Sequence, residues 1–143
     1  MSRLLTLSLI LFLLGTGALR AQSVTGKWKT IDDETGQEKS IVELFERDGK
    51  LYGRIVKILD TTRDPDPVCD KCPSDDPRFR KKVIGMEFIR DMTREDHDYT
   101  GGDILDPEVG KVYRCKLWLE GSDLMVRGYW GPFYRTQTWK RVQ

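Results

Sequence analysis

Beyond residue 22 the chain alternates between apolar and polar positions in short runs, and the runs are broken by turn residues at regular intervals. Val24–Ile31, Glu38–Phe45, Lys50–Leu59, Val83–Ile89, His97–Ile104, Lys111–Leu119, Asp123–Trp130 and Tyr134–Val142 are each rich in Val, Ile, Tyr, Trp or Thr and read as strands. Asp48-Gly49, Asp106-Pro107-Glu108-Val109-Gly110 and Glu120-Gly121-Ser122-Asp123 supply the Asx and glycine chemistry of tight turns. The alternation is clearest near the end of the chain. Tyr113, Cys115, Leu117 and Leu119 share one face of their strand, and Leu124, Val126 and Trp130 share one face of the next, with Gly128 between. No long amphipathic helix is predicted. Evenly spaced antiparallel strands, about eight of them, predict an all-β sandwich or barrel.

Two segments depart from this pattern. The first is residues 1–21: Arg3, an apolar run from Leu4 to Leu14, small residues from Gly15 to Ala18, and Ala21 as a cleavage position. This is the layout of a secretory signal peptide, and the run is short of the roughly 20 apolar residues that span a bilayer. The expected working protein is therefore a single domain over residues 22–143, exported to the periplasm or the exterior and not membrane-spanning. The second is Asp60–Lys82, which holds Pro65, Pro67, Pro73 and Pro77 together with Cys69 and Cys72. It is too long for a hairpin turn and reads as a peripheral loop.

Charge narrows the partners. The 24 basic and 23 acidic side chains nearly cancel and are interspersed, so the basic footprint that nucleic acid requires is missing. No cofactor signature appears. Cys69-Asp70-Lys71-Cys72 lies in a Pro-rich loop, away from the helix start at which a redox pair is activated. Adding Cys115 and His97 would complete a zinc composition, but Cys115 shares an apolar strand face. The favoured reading is a short structural disulfide, or a pair of thiols, at Cys69 and Cys72 that stiffens the loop; in an oxidising compartment one disulfide and one free thiol is the simplest outcome of three Cys. Asp64, Asp66, Asp70, Asp75 and Asp76 lack the spacing of a calcium loop. His97 has no Gly-x-Ser-x-Gly elbow to serve and reads as a surface residue. Gly101-Gly102 precedes no helix, so it reads as a bulge or barrel corner and not as a phosphate cradle. No catalytic set stands out, and the protein is not expected to be an enzyme.

Gly26-Lys27-Trp28 resembles the Gly-x-Trp opening of lipocalin-like barrels, in which the Trp closes one end beneath a basic side chain from the last strand. The matching element is Trp139-Lys140-Arg141, with Arg141 as the partner. A wider resemblance covers the whole mature chain. Asp32-Asp33-x-Thr35-Gly36, Leu51-Tyr52-Gly53-Arg54-Ile55, Cys69-x-x-Cys72, Gly101-Gly102-x-Ile104-Leu105-Asp106-Pro107, Leu124-x-Val126-Arg127-Gly128-Tyr129 and Gln137-Thr138-Trp139-x-Arg141 are similar to the secreted bacterial DUF2147 family. The resemblance implies a closed, antiparallel lipocalin-like β-barrel, with Gly26, Trp28, Trp139 and Arg141 as its closure. It brings no activity or substrate.

A small eight-stranded barrel either fills its interior or holds one small ligand. Trp28, Tyr113, Leu117, Trp130 and Trp139 are the candidate lining. A small apolar or amphipathic ligand is the first expected partner. The alternative is an interaction module without a cavity, docking an envelope protein or glycan through Trp118, Arg127, Tyr129 and the long loop.

Overall fold

The computed structural model describes residues 22–143, so the expected signal segment lies outside the described residues. The chain forms a closed antiparallel barrel in simple up-and-down order. Its strands are β1 (Gly26–Ile31), β2 (Glu38–Arg47), β3 (Lys50–Ile58), β4 (Glu87–Glu95), β5 (Asp98–Asp106), β6 (Lys111–Glu120), β7 (Asp123–Trp130) and β8 (Phe133–Arg141). Period-two alternation builds the interior: Val42 and Leu44, Leu51 and Ile55, Cys115 and Leu117, and Leu124 and Val126 are all buried. Asp48 and Gly49 both take positive φ (53° and 77°), which matches the β2–β3 turn to the twist of its strands.

The fourth strand differs from its expected place. Val83–Met86 belong to the preceding loop, and the strand begins at Glu87. Gly85 at φ 85° breaks the run, and two irregularities then hide the strand. Phe88 is an extra residue between the pairs Gly53↔Ile89 and Arg54↔Glu87, so Phe88 and Ile89 are both buried. Asp91 takes φ 56°, and Met92 returns to the interior. A bulge at Gly101-Gly102 shifts the register of β5 against β6. A Cβ on Gly102 would stand 2.1 Å from the Arg90 carbonyl oxygen, so only glycine fits there.

The long loop is not peripheral. Cys69 and Cys72 form a disulfide and are both buried. The Lys71 carbonyl lies against Gly110, where a Cβ would fall 1.6 Å from its oxygen. Arg78 is buried and donates to Asp76 at 2.8 and 2.9 Å and to the Glu87 carbonyl at 3.2 Å. Arg90 meets Asp103 at 3.2 Å and Asp76 at 4.0 Å, tying the loop to the outside of β4 and β5. The segment therefore docks on the β5–β6 turn and folds against one end of the barrel.

Candidate functional site

The barrel has unlike ends. At one end the chain enters β1 and leaves β8. The indole of Trp28 is fully buried there, and its Nε1 donates to the Val24 carbonyl at 2.8 Å. The Arg141 guanidinium lies 4.1 Å from the Trp28 ring centre and donates to the Thr25 carbonyl at 3.1 Å. A Cβ on Gly26 would be 3.2 Å from Arg141 Nη1, so a small residue lets the cation settle over the ring. This end is sealed.

The other end gathers the β1–β2, β3–β4, β5–β6 and β7–β8 connections around a cavity of about 470 Å³. Its floor is apolar: Ile55, Phe88, Ile104, Leu105, Val126 and Trp139. Trp139 stacks on Phe88 at 6.1 Å, and its Nε1 donates to Gln137 Oε1 at 3.0 Å. Thr30 and Ser40, whose hydroxyls are 2.8 Å apart, add a polar strip to the wall. Gly128 also lines the cavity, and a Cβ there would meet only Tyr113 and Ile104, at 3.5 Å or more. The space exists in part because β7 presents no side chain at an inward position.

The rim is charged and internally paired. Arg135 donates its Nε to Asp33 at 2.7 and 2.9 Å and approaches Glu34 at 3.5 Å. Glu108 accepts from Arg63 and meets Lys39 at 3.2 Å. Every cation of the lining thus has a carboxylate beside it, so a bare anion would have to displace a partner to gain one. Asp33 is held below the usual carboxylate range, chiefly by its bond from Arg135. Asp106 is pushed up by burial, although the Glu108 amide donates to it at 2.9 Å. Tyr113 is raised by burial and then by the charge of Asp106.

The candidate lining is split by the structure. Tyr113 and Trp139 line the cavity. Leu117 is fully buried in the core, outside the lining, and Trp28 belongs to the sealed end. Trp130 is a correction: it keeps the inward parity of Leu124 and Val126, but β7 runs past the rim, so its ring is 64% exposed on the β7–β8 turn. Cys115 sits in the barrel wall away from the disulfide, its thiol raised by burial and then by Asp103. His97 is exposed in the β4–β5 turn at the sealed end. Phe88, Gly128 and the rim pairs were missed. Gly128 was the readable signal, as a glycine on an inward face.

Fold and cavity together define a lipocalin-like barrel open at one end. Residues 26–141 match the family DUF2147, described as an uncharacterized protein conserved in bacteria, and the chain belongs to that family. Among solved structures it is similar to protein HP1028 of Helicobacter pylori, described as belonging to the lipocalin family. The TM-score is 0.73 and the identity 25%, covering 86% of this chain and 85% of the other. No curated protein matches the chain.

Proposed function

We propose that the protein binds a small apolar or amphipathic molecule in the barrel cavity and does not transform it. The observation that carries this reading is the cavity itself: about 470 Å³, apolar at its floor, polar at its rim and open at one end. Ligand sites fall in this size range and combine apolar walls with a few polar groups. Because the rim cations are already paired, the favoured ligand is a largely apolar body with a neutral or zwitterionic polar end. The described relationship of the Helicobacter pylori protein to lipocalins supports the same reading. Export to the periplasm or the exterior is part of the proposal. It is supported by the layout of residues 1–21 and by the Cys69–Cys72 disulfide.

The test is titration with a neutral apolar fluorophore, N-phenyl-1-naphthylamine, against the protein and Gly128→Leu. The leucine fills the cavity from a position where a Cβ meets no clash. Saturable one-to-one enhancement with the wild type, lost in a folded Gly128→Leu, supports the reading. Equal enhancement by both proteins refutes it.

A further inference from the structure

The large apolar side chains that remain exposed among the described residues are Val68, Val109, Val112, Trp130, Phe133 and Tyr134. All six lie at the open end. Val68 and Val109 stand on the cavity rim, Val112 is the second residue of β6, and the three aromatics flank the β7–β8 turn Gly131-Pro132. The turns at the sealed end are Asp48-Gly49, Asp96-His97 and Gly121-Ser122, with no large apolar residue. Scattered exposed hydrophobics need no explanation, but a set confined to the lip of a cavity does.

The tip has a definite chemistry. Trp130 and Phe133 are 64% and 66% exposed and stack on each other at 6.3 Å, so the two rings project together beyond the barrel wall. Lys111 places its Nζ 5.4 Å from the Trp130 ring centre, and neither Lys111 nor the exposed Lys71 beside the β5–β6 turn has a carboxylate within ion-pair distance among the described residues. Paired aromatics beside the free Lys111 suit the boundary between headgroups and acyl chains, where rings sit at headgroup level and cations meet anionic lipids.

We propose that the open end docks reversibly on an anionic phospholipid surface, with Trp130 and Phe133 dipping into the interface and Lys111 and Lys71 facing the headgroups. This orientation turns the cavity mouth toward the membrane, where an amphipathic ligand would enter or leave. That consequence rests on the cavity reading above, whereas the docking does not.

The experiment is sedimentation of the protein with vesicles of phosphatidylcholine carrying a minority of phosphatidylglycerol, beside vesicles of phosphatidylcholine alone. The proposal expects binding to the mixed vesicles, weakened by salt and by Lys111→Glu. It expects a loss of roughly tenfold or more in apparent affinity in Trp130→Ser/Phe133→Ser. Those rings are exposed, so the double variant keeps the wild-type unfolding transition. Gly128→Leu, with its cavity filled, should still bind vesicles, which separates failure of docking from failure of ligand binding. Absence of sedimentation with mixed vesicles overturns the proposal, as does equal binding by the double variant. Concentration-dependent dimerisation through the aromatic tip without vesicle binding overturns it in favour of a second copy of the chain.

Discussion

Arg135 on β8 grips Asp33 in the β1–β2 turn, across 102 positions of sequence. The pair stands where the barrel wall is thinnest. Strand pairing between β1 and β8 is limited to Trp28↔Arg141 and Lys29↔Lys140, followed by a bond from the Val142 amide to the Lys27 carbonyl at 3.0 Å, so β8 from Phe133 to Thr138 pairs only with β7. The side chains close a seam that the backbone leaves open beside the cavity. Because the pair is partly exposed, Arg135→Ala is expected to cost no more than about 1 kcal/mol in chemical denaturation. The same change should speed escape of a bound fluorophore in stopped-flow dilution. An unchanged escape rate would remove the seam as a route to the cavity.

At the sealed end the indole carries more weight than the cation above it. Trp28→Ala removes a fully buried ring and its hydrogen bond and is expected to cost about 3–5 kcal/mol. Arg141→Ala removes a cation–π contact and is expected to cost about 0.5–2 kcal/mol. Equilibrium unfolding of both variants checks the order, and a Trp28→Ala loss below about 1 kcal/mol would deny Trp28 its closing role.

The docked loop makes the disulfide matter for the barrel end. Closing so short a loop restricts the unfolded chain by roughly 2 kcal/mol, and Cys72→Ser also places a hydroxyl in a buried position. The expected loss is about 2–3 kcal/mol with cooperative unfolding retained, since the barrel closes without the loop. Gly110→Ala should act on the same contact, because its Cβ cannot coexist with the Lys71 carbonyl. A double variant whose losses simply add would show that the two positions do not share that contact.

Acid should loosen the loop first. Arg78 holds Asp76 down to about 2, from an ordinary value of 3.8, and Arg135 and Arg47 lower Asp33 and Glu87 in the same direction. A carboxyl whose folded pKa is depressed adds stability that is complete above its unfolded pKa and is lost as pH falls through its folded pKa. Stability is therefore expected to fall between about pH 4 and about pH 2. Asp106, raised by burial, works in the opposite sense and offsets part of the loss as it protonates. Asp76→Asn should flatten this slope and cost up to about 3 kcal/mol at neutral pH, because the buried Arg78 loses its close carboxylate and keeps only Asp103 at 3.8 Å. Denaturation midpoints measured across that pH range would decide it, and a slope unchanged in Asp76→Asn would exclude Asp76 as its source.

Most of the strands and the Cys69–Cys72 pair were legible because their signals are local: Asp48-Gly49 fixes a turn, and Cys69 and Cys72 are close in sequence; closure into a barrel came from the family resemblance, since alternation fits a sandwich equally well. β4 was misplaced because Phe88 and Asp91 break the period on which the reading relies. Trp130 shows the opposite failure, in which alternation continues although the barrel has ended. The rim could not be read at all. Asp33 meets Arg135, and Glu108 meets Lys39 and Arg63, only after the barrel has closed, and none of these charged residues stands out from its neighbours in the chain.

A ligand is expected to occupy the cavity of the protein in its host. Native mass spectrometry of the protein and of Gly128→Leu, each purified gently from its own host without reducing agent, tests it most directly. The wild type should carry an added mass that leaves on denaturation and is missing from a folded Gly128→Leu. Both proteins at their own bare masses, or both carrying the same adduct, would contradict it.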